Sequence, residues 1–242
     1  MDAVHAFIGE FTGTMLLVLL GDGVVANVVL ARSKGAGGGW IVITAGWGVA
    51  VAIAVYVAGW VSGAHINPAV TIAFYALGTT PAALLPAYLA GQFLGAFVGA
   101  VLVWLVYLPH WRETPDAEAK RAIFCTAPAI RAPLANLATE IIGTAVLLIG
   151  VLGIFHANNG IGAGLGPYLV GLLVFGIGLS LGGPTGYAIN PARDLAPRVA
   201  HALLPIAGKG SSDWGYAWIP VIGPLVGGAL GALLYDRLIA GL

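Results

Sequence analysis

Long apolar runs alternate with short polar breaks along the whole chain. Six runs are long enough, or nearly so, to cross a bilayer as helices: about Ala6 to Leu30, Trp40 to Trp60, Ala83 to Leu108, Leu134 to Phe155, Pro167 to Leu181 and Ala217 to Ile239. Two further runs start at Pro68 and Pro191 and stop near Leu77 and Leu204, at about half the length a span needs. The breaks hold Arg32 and Lys34, the Gly-rich stretch after His156, and the polar stretch Gly208 to Asp213. Residues 109–132 are the longest hydrophilic segment and are expected to form a solvated connecting loop.

Composition sharpens this pattern. Of 242 residues, 59% are apolar and 8% charged, against about a quarter charged in a soluble domain, so one soluble core could not hide the apolar surface. The expectation is an all-α, multi-span membrane protein. Its 37 glycines suit helices that approach closely in lipid. A net charge of zero leaves no nucleic-acid footprint, and the single Cys125 excludes an intrachain disulfide. No His pair has metal-ligand spacing, and nothing calls for a cofactor. The start Met1-Asp2-Ala3-Val4-His5 lacks a basic region, so no cleavable signal is expected and the first run stays as a span.

The chain also repeats. Gly9-Glu10 and Gly13-Thr14 match Thr139-Glu140 and Gly143-Thr144, while Gly91, Gly95 and Gly99 match Gly223, Gly227 and Gly231. Residues 62–69 read Ser-Gly-Ala-His-Ile-Asn-Pro-Ala, and residues 185–192 read Thr-Gly-Tyr-Ala-Ile-Asn-Pro-Ala. Three spans per half reverse the second half in the bilayer. The expected organisation is therefore one channel domain over 1–242: inverted repeats of about 1–108 and 133–242, joined by 109–132.

A segment that enters a membrane and stops is tolerated only where it lines a cavity. Asn67 and Asn190 are placed to cap two half-helices, with Pro68 and Pro191 in the first turn and Ala69 and Ala192 after them. Entering from opposite faces, both would aim their positive ends at one midplane point, which repels cations. The extended residues before each Asn, Gly63, Ala64 and His65 and then Gly186, Tyr187 and Ala188, would present a row of carbonyls to a solute with hydroxyls along one edge.

At these motifs the chain resembles the major intrinsic protein (aquaporin) family, over nearly its whole length, and within it the glycerol-facilitator branch. The resemblance implies six spans and two half-spans in a right-handed bundle, a homotetramer, cytoplasmic termini and a bacterial inner membrane. Asp194, Arg198 and Pro220 stand at the positions that mark the branch. The family's selectivity filter falls on Trp47, Gly178, Tyr187 and Arg193. Gly178 leaves room where water-selective members usually place His, the two aromatics would form a corner for CH groups, and Arg193 would donate to hydroxyls. Tyr187 stands where Phe is common in bacterial members, and Pro184 where an aliphatic residue is common. Nine of the ten Lys and Arg lie on the side that family precedent puts outside, against the positive-inside rule; only Arg237 lies on the other.

Glu10 and Glu140 admit two readings: proton-coupling carboxylates of a secondary transporter, or acceptors for the backbone N–H groups of the re-entrant loops. Their repeat symmetry and the resemblance favour the second. Asp22 reads as an interfacial residue, His65 as a pore-lining one, and Trp40, Trp60, Trp104, Trp111, Trp214 and Trp218 as an aromatic belt. The function expected is a passive channel for glycerol and similar small neutral solutes and water, with no catalytic residues. Urea, lactic acid or peroxide could share the path. A water-selective channel and a proton-coupled transporter are the alternatives.

Overall fold

The computed structural model describes residues 1–162 and 164–241, and among these it is all-helical. Helices α1 (Ala3–Val29), α2 (Trp40–Ser62), α4 (Leu85–Val106), α7 (Pro133–Ile154) and α10 (Ile219–Leu238) are each long and apolar enough to cross a membrane. The sixth expected span, α8 (Gly166–Leu181), has 16 residues and so reaches about 24 Å at 1.5 Å per residue. The two half-length runs are α3 (Pro68–Ala76) and α9 (Pro191–Leu203).

Small residues set which helices meet. A Cβ on Gly95 of α4 would lie 2.3 Å from the Phe11 carbonyl oxygen of α1, and one on Gly227 of α10 would lie 2.2 Å from that of Ile141 in α7. Gly91, Gly99 and Gly231 are nearly as close to the facing backbone and Gly223 abuts the Glu140 Cβ at 2.6 Å, so α4 packs on α1 and α10 on α7 with little side chain between them. Helices α2 and α8 join these two pairs. The half-helices cross over: α3 packs mainly against α10, and α9 mainly against α4. Each therefore rests on the last long helix of the opposite half.

The 109–132 segment departs from a solvated loop. It forms two short helices, α5 (His110–Glu113) and α6 (Ala117–Phe124), and α6 packs on α1 and α9. Trp111, Ile123, Phe124 and Cys125 are buried, and Trp111 stacks on Phe124 with ring centroids 5.7 Å apart rather than standing in an aromatic belt. Lys120 is also buried, its amine donating to the Ala207 carbonyl. The apolar face that α6 turns inward was diluted in the sequence by its charged neighbours.

Most of the bases that break the positive-inside rule are held in place. Arg32 pairs with Glu113 at 2.9 Å and Arg131 with Asp213 at 2.5 Å. The Lys209 amine donates to the carbonyls of His201, Ala202 and Leu204 at the end of α9. These side chains fasten loops and a helix end, which accounts for their number on one side without reference to membrane orientation.

Candidate functional site

The two Asn-Pro-Ala stretches meet, and each hangs from a buried glutamate. Glu10 Oε1 accepts from the Ser62 hydroxyl at 2.7 Å and the His65 N–H at 2.9 Å; Oε2 accepts from the Ile66 N–H at 2.6 Å and the Gln92 amide at 2.7 Å. Glu140 does the same for the second loop, accepting from the Thr185 hydroxyl at 2.6 Å and the N–H groups of Ala188 at 3.0 Å and Ile189 at 2.8 Å. These bonds hold an unfavourable backbone. Ala64 and Ile66 have φ of 49° and 46°, and Tyr187 and Ile189 have 38° and 43°. Such left-handed conformations cost about 1–3 kcal/mol each at non-glycine residues, most for β-branched ones. The loops persist because carboxylates over-determine them.

Asn67 and Asn190 cap their helices as expected. Asn67 Oδ1 accepts from the Ala69 N–H at 2.9 Å, and Asn190 Oδ1 accepts from those of Ala192 at 3.0 Å and Arg193 at 3.2 Å. Their amide nitrogens cross between the loops. Asn67 Nδ2 donates to the Ile189 carbonyl and Asn190 Nδ2 to the Ile66 carbonyl, each at 2.8 Å. Each amide has two N–H donors and uses one here, so one per residue remains for whatever lies beside it.

Beside them is a cavity of about 320 Å³. One wall is aliphatic, from Leu17, Val51, Val55, Leu147, Val170 and Val174. The two loops also line the cavity, with Gly63, Ala64 and His65 from one and Ala188 and Ile189 from the other, together with Asn67 and Asn190. Trp47, Tyr187 and Arg193 also border it. The Arg193 guanidinium carbon lies 4.0 Å above the Trp47 ring centre, a cation–π stack. The buried Tyr187 hydroxyl has no hydrogen-bond partner among the described residues.

Two expected members stand back from the cavity. Gly186 does not border it; its N–H donates to the Gly182 carbonyl at 2.8 Å. Gly178 does not border it either, and the space a side chain there would need is occupied. A Cβ would lie 2.8 Å from Tyr187 Cζ and 2.8 Å from Thr44 Cγ2. Pro184, which precedes the second loop, keeps its carbonyl engaged with the Ala129 N–H at 3.0 Å. The His65 ring is wedged between Tyr88 and Phe74, with centroids 4.4 and 5.0 Å away, and its Nδ1 lies 3.1 Å from the Thr71 hydroxyl.

The three branch-marking residues lie outside the cavity. Arg198 and Asp194 are both 0% exposed and paired, Nε to Oδ1 at 2.8 Å and Nη2 to Oδ2 at 2.9 Å. Arg198 also donates to the carbonyls of Ser212 at 2.6 Å, Asp213 at 3.1 Å and Thr126 at 2.9 Å, so all five of its N–H groups have partners. Asp194 Oδ2 accepts from Thr126 twice, at its N–H and its hydroxyl. The pair staples the segment after α6 and the loop before α10 onto α9. Pro220 lies in the first turn of α10, where a missing N–H costs least.

Two residues near the site have partners that the sequence does not reveal. Asp22, expected near a membrane face, is packed inside the protein: its side chain is 0% exposed and lies 3.5 Å from Arg193. Trp40 is more than a belt residue, since its indole N–H donates to the Gly178 carbonyl at 2.9 Å and its ring meets Tyr187 edge-on at 5.8 Å. Asp22 carried a signal, an acid inside an apolar run, that pointed to function by default. No cluster of metal-ligating side chains occurs among the described residues.

Comparison with known proteins agrees on one family. The family model described as major intrinsic protein matches residues 1–235. A probable glycerol uptake facilitator protein of Thermotoga maritima is 65% identical over 235 residues, covering 97% of this chain and all of that one. The glycerol uptake facilitator protein of Bacillus subtilis is 52% identical over 236 residues, covering 98% of this chain and 85% of that one. The crystal structure of the aquaglyceroporin from Plasmodium falciparum superposes with a TM-score of 0.88 at 33% identity, covering 98% of this chain and 97% of that one. By fold, motif and sequence, this chain belongs to the major intrinsic protein family, as an integral, multi-pass membrane protein.

Proposed function

We propose that the protein is a passive channel for glycerol and related small neutral solutes, and for water, down their gradients. It acts as a conduit and not as an enzyme, in a bacterial cell membrane with cytoplasmic termini. The observation that carries the reading is the cavity's mixed lining: two asparagines with one amide N–H each to spare, and the residues of both loops, share it with many aliphatic side chains. A polyol fits that contrast, with hydroxyls on one edge and CH groups on the other. The names of the relatives point the same way.

Trp47, Tyr187 and Arg193 serve as the selectivity residues. Gly178 acts through Tyr187, because its missing side chain is what lets that ring lie back. The half-helix N-termini at Asn67 and Asn190 repel cations. Proton coupling is disfavoured because both glutamates are buried and used as hydrogen-bond acceptors for the loops. Two inverted repeats, about 1–108 and 133–242, build the conduit within one chain, and four such chains assemble side by side, each with its own conduit, as in the family. Urea, lactic acid and peroxide are small enough to follow glycerol.

Stopped-flow light scattering on reconstituted vesicles tests this. Glycerol-driven reswelling is expected, unaffected by collapsing a pH gradient. Vesicles that pass water but not glycerol would falsify the reading, and accumulation of solute under an imposed pH gradient would favour a coupled transporter. Gly178→His is expected to cut glycerol flux far more than water flux; equal loss of both would count against the selectivity residues named here.

A further inference from the structure

The channel reading leaves one buried charge beside the cavity unused. Asp22 lies on α1 with its side chain wholly buried, Oδ1 3.5 Å from Arg193 Nη1 and Oδ2 without a partner among the described residues. The residue before it, Gly21, faces Trp47: a Cβ there would lie 2.2 Å from the indole ring. Gly21 and Asp22 thus seat neighbouring groups of one stack, the indole against bare backbone and the guanidinium beside a carboxylate. Another buried acid, Asp194, is already matched by Arg198.

A conduit for neutral solutes must turn away both signs of charge. The half-helix N-termini disfavour cations. An unopposed Arg193 would add to that positive field and draw in small anions. We propose that Asp22 is a positioning and charge-balancing residue for the selectivity site: it holds the Arg193 guanidinium against Trp47, with its remaining donors toward the solute, and offsets the field that would otherwise admit anions. The inference goes beyond the channel reading and rests on Arg193 being one of its selectivity residues.

The test uses full-length protein in vesicles, with wild type, Asp22→Asn, Asp22→Glu and the double variant Asp22→Asn/Arg193→Gln. Water and glycerol permeabilities are read by light scattering, and nitrate permeability by the response of a potential-sensitive dye. In Asp22→Asn the glycerol-to-water ratio is expected to fall about fivefold, the scale of one lost hydrogen bond. Nitrate permeability is expected to rise at least about tenfold, because the guanidinium charge is no longer opposed. Asp22→Glu restores both, and in the Arg193→Gln background Asp22→Asn admits no nitrate.

Wild type that fails to pass glycerol overturns the channel reading itself. Wild type that passes glycerol, with an Asp22→Asn variant that still excludes nitrate and loses water and glycerol equally or not at all, overturns this inference alone. That second outcome is also what a neutral Asp22 would give. If Asp22→Asn does not reach the membrane, the double variant decides: its insertion supports the pairing, and its failure makes Asp22 a folding residue and ends the proposal.

Discussion

Helices α3 and α9 both begin at an Asn-Pro-Ala triplet, follow a loop hung from a buried glutamate, and bond to each other's loop, yet α3 carries no charge and α9 carries Arg193, Asp194 and Arg198. Aligned on their Asn residues, Val70 stands opposite Arg193, Thr71 opposite Asp194 and Tyr75 opposite Arg198. Val70 and Arg193 both border the cavity. Thr71 and Asp194 both tie their helix to its surroundings. Thr71 accepts from Gln92 at 2.8 Å and meets His65, while Asp194 takes Arg198 and Thr126. The repeat therefore supplies a symmetric frame, and the departures from it supply the chemistry: a neutral tie in one half, an ionic staple and a cavity-facing cation in the other.

The comparison can be broken most forcefully at the staple. Arg198→Leu leaves Asp194 charged, buried and unpaired, and is expected to cost about 3–5 kcal/mol in unfolding measured in detergent. Replacing both partners by well-packed apolar residues is expected to recover most of that loss, which a purely local packing defect would not allow. Next come the glutamates, where the halves are alike. Glu140→Gln puts an amide N–H₂ where an acceptor is needed, and about 1.5–3 kcal/mol is expected from a lost bond to a charged group. Glu10→Gln is expected to behave the same way, with faster hydrogen exchange at Ile66 in that variant and at Ile189 in the other.

Smaller effects sharpen the contrast. Thr71→Val removes the neutral tie and is expected to cost about 1–2 kcal/mol, well short of its ionic counterpart. Lys209→Met strips the cation from the last carbonyls of α9 and is expected to cost about 0.3–1 kcal/mol, shrinking further as salt is added. The end of α3 has no basic residue in its last turn, so no comparable salt dependence is expected there.

Features governed by local pattern were legible in the sequence. Apolar run length marked the long helices to within a few residues, and an Asn before a Pro marked where the half-helices begin. The repeated glutamates and glycine ladders came out because symmetry doubles the signal. What escaped depends on distant partners. Asp22 meets Arg193 across 171 positions, and nothing in a lone acid near the end of an apolar run names so distant a partner. The space at Gly178 belongs to Tyr187, whose ring direction follows from a left-handed backbone held by Glu140. Helix α6 hides its buried face among charges, so its composition resembles that of a loop.

The crossed asparagine bonds bear on how the protein is made. Ile66 needs the amide of Asn190 and Ile189 needs that of Asn67, while α3 finds its main packing partner in α10, a helix of the second half. The first re-entrant loop therefore cannot reach its final form while the ribosome is still translating the second half. Its N–H groups at His65 and Ile66 find Glu10 within the same half, but the Ile66 carbonyl stays without its partner until Asn190 arrives. A chain cut after residue 132 would keep the Glu10 bonds of that loop but lose the Asn190 amide and the α10 surface on which α3 rests.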